Sequence, residues 1–226
     1  MFTTAAEMIG SCLCTIMDPT DSDQKEFLGQ GCMLTDRIVL TALHVVRELP
    51  TDRVILVSCP SGLFTASELW SESQADLSLL RLDIRRNGDE NKSSPAIFPR
   101  ISSTKLVLAK QVGYMALLTA LDDDGSNRFL PPTFLSASVS RQDRVGTYPE
   151  HHLSPSYSTL SFSGGPVFFP DGTLCAVLLG VSNIIAKQPS EKGSRNLDEF
   201  DFLFPRISPL APHRALIEQF THPPSF

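Results

Sequence analysis

Ser161-Phe162-Ser163-Gly164-Gly165-Pro166-Val167-Phe168 is the most specific stretch of this chain. A serine hydroxyl is inert as a nucleophile until a base takes its proton. Two glycines behind Ser163 let the main chain turn sharply and let a substrate carbonyl come close. The main-chain N–H groups around the serine can then donate to a developing oxyanion. Taken alone, the string reads equally as an ordinary Ser-Gly-Gly-Pro turn, so its meaning depends on what stands elsewhere in the chain.

Two further stretches bear on it. Ala75-Asp76-Leu77-Ser78-Leu79-Leu80-Arg81-Leu82 sets an aspartate immediately before an apolar strand. Such an aspartate is commonly a turn residue bonding its own backbone; the alternative is a buried carboxylate that holds an imidazole in one tautomer. Gly31-Cys32-Met33-Leu34-Thr35 leads through a hairpin into Ile38-Val39-Leu40-Thr41-Ala42-Leu43-His44-Val45-Val46. It delivers His44 just past a strand end, at a rim where loops carry functional groups. Alone, His44 reads first as a rim histidine with its hydrogen bonds satisfied.

The rest of the chain is punctuated into short segments by 17 prolines and 13 glycines. Strands are expected at Ile9–Met17, Phe27–Thr35, Ile38–Thr41, Arg53–Ser58, Leu63–Trp70 and Leu77–Leu82. A second set follows at Leu106–Ala109, Val112–Leu118, Phe134–Val139, Pro166–Phe169, Thr173–Val181 and Phe200–Phe204. Short strands at this spacing with turn signals between them predict an all-β sandwich or barrel. Pro170-Asp171-Gly172 predicts a tight turn: proline presets φ, and glycine supplies the positive φ that closes a hairpin. The one helix expected is terminal, with Pro212 in its first turn and Ala215, Leu216, Gln219 and Phe220 at helical spacing. The polar stretch Arg85–Thr104 reads as a linker between two β halves, giving 1–86, a connection at 87–104, and 105–226. Gln188–Glu199 and Asp122-Asp123-Asp124-Gly125 read as surface loops. The latter lacks the ligand spacing and closing glutamate of a calcium loop. His151, His152, His213 and His222 read as surface residues.

Composition excludes several function classes. The 226 residues are 42% hydrophobic and 19% charged, enough apolar material for a sizeable core and too much for a disordered chain. A net charge of −6 with no basic stripe argues against nucleic-acid binding. No window reaches the roughly 18 continuous apolar residues of a membrane span, and the opening residues lack the basic and apolar regions of a secretory signal. The five cysteines (Cys12, Cys14, Cys32, Cys59, Cys175) are odd in number and lie mostly in apolar runs. They read as reduced core residues of a cytoplasmic protein. The Cys12-Leu13-Cys14 spacing does not suit zinc, and neither a metal nor a cofactor is expected.

His44, then Asp76, then Ser163, each in its own strand-rich segment, resembles the trypsin/chymotrypsin-like serine peptidase family, and the order of the three separates that family from subtilisins and α/β-hydrolases. The resemblance runs from Ile9 to near Phe220. With Val39-Leu40-Thr41-Ala42-Leu43-His44-Val45-Val46, Asp76-Leu77-Ser78-Leu79-Leu80-Arg81-Leu82 and Ser163-Gly164-Gly165-Pro166-Val167-Phe168, it is nearest the bacterial, disulfide-free, Deg-like branch. It implies two antiparallel β-barrels with the active site between them and a short C-terminal helix. Ser163 would attack the scissile carbonyl, His44 would act as general base and then general acid, and Asp76 would orient His44. The N–H groups of Ser161 and Ser163 would form the oxyanion hole. Leu179-Gly180-Val181 would pair with an extended substrate, and the stretch from Tyr157 to Leu160 would line the primary pocket, with no acid to demand Lys or Arg. The expected partners are a protein or peptide substrate and an activating protein.

Two departures bear on activity. Phe162 stands where secreted relatives carry an aspartate that pairs with a new N-terminus, so that activation route cannot operate. Ser161 stands where the family has glycine, which costs on the order of 1–3 kcal/mol if the active peptide needs positive φ. A hole distorted at rest and completed by a partner follows as an expectation, as does the alternative of a weak or inactive peptidase fold that binds a peptide in its cleft.

Overall fold

The computed structural model describes residues 2–19, 26–47, 54–85, 97–116, 119–121, 127–129, 133–145, 148–154, 163–189 and 197–221. The strands are β1 (Leu13–Asp18), β2 (Glu26–Met33), β3 (Ile38–Ala42), β4 (Ile55–Cys59), β5 (Gly62–Glu72), β6 (Leu77–Arg85), β7 (Gln111–Ala116), β8 (Thr119–Leu121), β9 (Asn127–Phe129), β10 (Thr133–Val145), β11 (Tyr148–Ser154), β12 (Pro166–Phe168), β13 (Leu174–Pro189) and β14 (Leu197–Pro209). The helices are α1 (Thr3–Gly10), α2 (Leu43–Arg47) and α3 (Arg214–Thr221), the last entered through a 3₁₀ turn at Ala211–His213.

Two closed antiparallel barrels result, as the resemblance implied. The first runs β1-β2-β3-β6-β5-β4, the second β10-β11-β14-β13-β12-β7, and β8 and β9 form a separate two-stranded ribbon. Closure removes sheet edges that would otherwise offer unpaired backbone groups. It also explains why β1 and β3 read as continuous apolar runs: every residue of each is buried, on the inner face by the barrel and on the outer by what covers it. The Pro170-Asp171-Gly172 turn forms as expected. Gly172 donates its N–H to the Phe169 carbonyl at 2.9 Å with φ of +82°, and the Asp171 carboxylate accepts from the N–H and hydroxyl of Thr173.

Two packed clusters make the core. One fills the first barrel and continues across to Phe168, Leu174, Val177 and Leu179 of the second; the other fills the second barrel around Tyr114, Leu153, Val167 and Ile207. All five cysteines are buried and free, Cys175 in the second barrel and the other four in the first cluster.

The helices at the two ends tie the barrels together, and α1 corrects the sequence reading. The strand expected from Ile9 begins only at Leu13, because Phe2, Ala5 and Ile9 repeat at helical spacing and all turn inward. The Phe2 ring sits 5.5 Å from Phe134 and 6.1 Å from Phe168, on the second barrel, while β1 belongs to the first. At the other end α3 follows the last strand of the second barrel. It buries Ile217, and the His213 ring just before it lies 6.1 Å from Trp70 on β5.

Four further expectations change. Leu106–Ala109 is a turn rather than a strand: Leu106 points into the second core, Val107 and Leu108 are exposed, and Ala109 is forced to φ of +61°. His151 and His152 lie on β11 between β10 and β14, and both are buried, because the ladder on either side carries them into the sheet. His213 is buried under Trp70. Gln188–Glu199 is partly strand, since β13 and β14 pair out to Pro189 opposite Leu197. Within the expected linker, Ile101 bridges Leu174 in parallel, and the Ser102 N–H donates to the Leu174 carbonyl at 2.7 Å. Asp122-Asp123-Asp124-Gly125 and His222 lie outside the described residues. Among the described residues no helix is long and apolar enough to cross a membrane.

Candidate active site

His44 is delivered where β3 ends. Ala42 is the last strand residue, and the chain then enters the single helical turn α2, so that the imidazole leaves the barrel wall while Leu43, Val45 and Val46 stay buried. Asp76 closes the turn between β5 and β6 and holds φ of +54°, a left-handed conformation that aspartate tolerates better than most residues. Three bonds hold it there. Its carbonyl accepts from the Leu43 N–H at 3.0 Å, its Oδ1 from the His44 N–H at 2.8 Å, and its Oδ2 lies 2.6 Å from His44 Nδ1. Asp76 is thus a turn residue whose carboxylate bonds the main chain and ring of His44 rather than its own backbone, and it is part-exposed rather than buried.

The protonation pattern follows from the partner. An ionised carboxylate can only accept, so Nδ1 carries the proton, and the lone pair of neutral imidazole is on Nε2. The His44 side chain is 40% exposed and that of Asp76 28%, so the pair opens to solvent on one side.

Ser163 sits in the turn before β12 and is 8% exposed. The first barrel reaches across to hold it: the Gln30 N–H on β2 donates to the Ser163 carbonyl at 2.8 Å. The Thr41 hydroxyl on β3 donates to the Gln30 carbonyl at 2.6 Å. From the other side, the Gly164 N–H donates to the Leu178 carbonyl at 2.8 Å and the Leu178 N–H to the Gly165 carbonyl at 2.9 Å. Gly164 has φ of +84°, and a Cβ there would stand 2.0 Å from the Gln30 carbonyl oxygen and 2.3 Å from Thr41 Oγ1. Only glycine fits this junction.

A second glycine shows that the Ser163 main chain lies close to Val45 in the helical turn that carries His44. A Cβ on Gly29 would lie 2.7 Å from Val45 Cγ2 and 2.8 Å from the Ser163 carbonyl oxygen. The residue following His44 and the main chain of Ser163 thus crowd one point. The imidazole is hydrogen-bonded to Asp76, and no hydrogen bond joins His44 to the Ser163 hydroxyl among the described residues.

Leu179, Gly180 and Val181 run along β13 past the serine. Gly180 has φ of +112°, the register of β13 against β14 shifts between Leu178 and Gly180, and a Cβ at Gly180 would lie 3.6 Å from Ser163 Oγ. The β12 ladder ends at Pro166 opposite Val177, whereas β14 follows the other edge of β13 to Pro189. From Leu179 onward the edge on the β12 side has no strand partner among the described residues. Tyr157 and Ser161 lie outside those residues.

Sequence reasoning missed Gln30 and Thr41, the residues that join Ser163 to the first barrel. The signal was present as Thr41, one hydroxyl inside the apolar run Ile38-Val39-Leu40-Thr41-Ala42, and as Gln30 between two glycines. Among the described residues no three metal-ligating side chains gather.

Neither a family model nor a curated protein sequence matches the chain. Among solved structures it is similar to the MamO protease domain from Magnetospirillum magneticum in its apo form, at 18% identity and a TM-score of 0.53, over 92% of this chain and 97% of that one. At that identity the likeness establishes architecture alone, and the architecture is the chymotrypsin-like double barrel.

Proposed function

We propose that the protein is a serine endopeptidase of the trypsin-like fold, with Ser163 as nucleophile, His44 as general base and Asp76 as the residue that positions His44. The observation that carries this reading is the two-bond grip of Asp76 on His44 at 2.8 and 2.6 Å, which holds the ring by Nδ1 and leaves Nε2 as the atom for a proton from Ser163. A peptide-binding scaffold would have no need of such a grip.

The chemistry balances within these residues. As Ser163 Oγ bonds to the scissile carbonyl carbon, its proton passes to His44 Nε2 and the carbonyl oxygen takes the negative charge. The imidazolium then gives that proton to the leaving amine as the C–N bond breaks. Water then bonds to the acyl carbon as His44 takes its proton, and His44 returns that proton to Ser163 Oγ as the acyl C–O bond breaks. Asp76 stays ionised throughout and stabilises the imidazolium. The Ser163 N–H, with that of Ser161, is the proposed oxyanion donor pair. The open edge at Leu179-Gly180-Val181 suits an extended peptide added as a strand, and the stretch containing Tyr157 is the proposed wall of the primary pocket. With Ser161 in place of glycine, completion of the hole by a protein partner is part of the proposal.

A fluorophosphonate probe tests it, with Ser163→Ala as control. Stoichiometric labelling at Ser163, lost in the control, supports the proposal. Absence of labelling from about pH 6 to 9, both alone and with a cell extract supplying protein partners, overturns it in favour of a peptide-binding scaffold.

A further inference from the structure

Cys14 on β1 and Cys59 on β4 face each other across the seam that closes the first barrel. These strands pair antiparallel, with Thr15 opposite Ser58, Ile16 opposite Val57 and Met17 opposite Leu56. The next step of that ladder sets Cys14 opposite Cys59. Side chains alternate along a strand, so both thiols share a face with Ile16 and Val57, each of which is fully buried inside the barrel. The flanking places in the same row are Gly31 on β2, opposite Cys14, and Gly62 on β5, opposite Cys59; neither carries a side chain. Cys59 ends its strand beside the exposed Pro60, with the Ser61 hydroxyl 3.3 Å from its sulfur.

We propose that Cys14 and Cys59 are a dithiol site that hydrogen peroxide converts to a disulfide, stapling the closing seam of the first barrel. Directly opposed residues of an antiparallel pair have Cα atoms about 4.5–5.5 Å apart, within the range of roughly 4.4–6.8 Å that a disulfide spans. The inference does not depend on the role given to His44.

The five thiols differ in how readily they ionise. The neighbouring Cys14 thiol, with Ser61 and Gly62, brings Cys59 down to about 7 against the effect of burial, while the Cys14 thiol itself donates to the Cys12 carbonyl at 3.5 Å and that of Cys59 to the Gly62 carbonyl at 3.4 Å. Burial pushes Cys12 up to about 11 and raises Cys14, Cys32 and Cys175 as well. Cys59 is therefore the attacking sulfur. Its thiolate displaces hydroxide from the peroxide O–O bond; the hydroxide takes up a proton and leaves as water, and Cys59 becomes a sulfenic acid. The Cys14 sulfur then attacks the sulfenic sulfur, the S–O bond breaks, and the thiol proton leaves with the hydroxyl as a second water. Two thiols and one peroxide give one disulfide and two waters. The other cysteines are less suited: Cys32 stands opposite Leu13, a position that faces the other side of the sheet, Cys12 donates to the Ile97 carbonyl, and Cys175 lies in the second barrel.

The test uses the full reduced chain, treated with hydrogen peroxide at a slight molar excess and digested without reductant. The expected result is one peptide pair joined through Cys14 and Cys59, lighter by two hydrogens. Titratable thiols fall from five to three, and dithiothreitol restores them. The linked protein melts higher than the reduced form, because residues 15–58 are closed into a loop. In Cys14→Ser the joined pair disappears and Cys59 advances to the sulfinic acid, while Cys12→Ser still forms the pair. Retention of all five thiols, a link between other cysteines, or sulfinic acid at Cys59 of the unaltered chain overturns the proposal.

Discussion

The Gln30 N–H in the first barrel donates to the Ser163 carbonyl in the second at 2.8 Å. That bond places the turn bearing Ser163 relative to the strand pair that leads into His44, since Thr41, three residues before His44, bonds the carbonyl of the same Gln30. The position of the serine is therefore set by β2 and β3 as much as by its own loop. This arrangement makes distinct substitutions separable in their effects.

Asp76→Asn keeps the shape and reverses the polarity. The amide oxygen still accepts from the His44 N–H, but the amide nitrogen now donates toward Nδ1 and forces the proton to Nε2. Turnover is expected to fall by on the order of 10⁴-fold with little change in melting temperature. Steady-state kinetics beside calorimetry check it, and a loss of only a fewfold would remove Asp76 from the proposed mechanism.

Gly164→Ala acts through the junction of the barrels. The methyl group must displace the Gln30 carbonyl or the Thr41 hydroxyl, and the φ of +84° is itself unfavourable for alanine. A destabilisation of at least about 2 kcal/mol is expected, together with loss of probe labelling at Ser163. Urea denaturation followed by labelling of the folded fraction measures both.

Ala109→Gly acts in the opposite direction. Ala109 holds φ of +61° in an exposed turn whose N–H donates to the Val139 carbonyl. Glycine relieves about 1–2 kcal/mol of left-handed strain and returns part of it as added freedom in the unfolded chain. A net gain of up to about 1 kcal/mol is expected, read as a rise of roughly 1–3 °C in Tm. A lower Tm would contradict the account of this turn.

Acid should loosen the fold through two buried histidines. Burial holds His151 and His213 below the ordinary value of 6.5; a bond at Leu106 opposes this at His151, as the charge of Glu72 does at His213. The native state therefore binds fewer protons than the unfolded chain. The stability these residues allow is complete above about pH 6.5 and is lost as pH falls toward the depressed native values. The urea midpoint should drop between pH 7.5 and 5.5, and His213→Gln should flatten part of that slope. An unchanged slope would show that His213 does not couple to folding.

Much of this protein was legible in one dimension. The spacing of short apolar runs predicts strands, and those expected at Ile38–Thr41 and Leu77–Leu82 fall within paired strands. Side-chain alternation and turn chemistry are local, so sequence alone carries them, and His44, Asp76 and Ser163 could be singled out as residue types at plausible element ends. What remained was non-local. The same three-residue turn can close any loop, and only barrel closure shows that Ser163 meets Gln30, that His151 and His152 are enclosed by strands on both sides, and that Thr15, next to Cys14, pairs with Ser58, next to Cys59. Helix α1 was hidden because its apolar face, Phe2, Ala5 and Ile9, finds its partners on a barrel more than a hundred residues away. Local pattern decides what an element is, whereas the register of strands brought together by closure decides which side chains meet, and chemistry depends on the meeting.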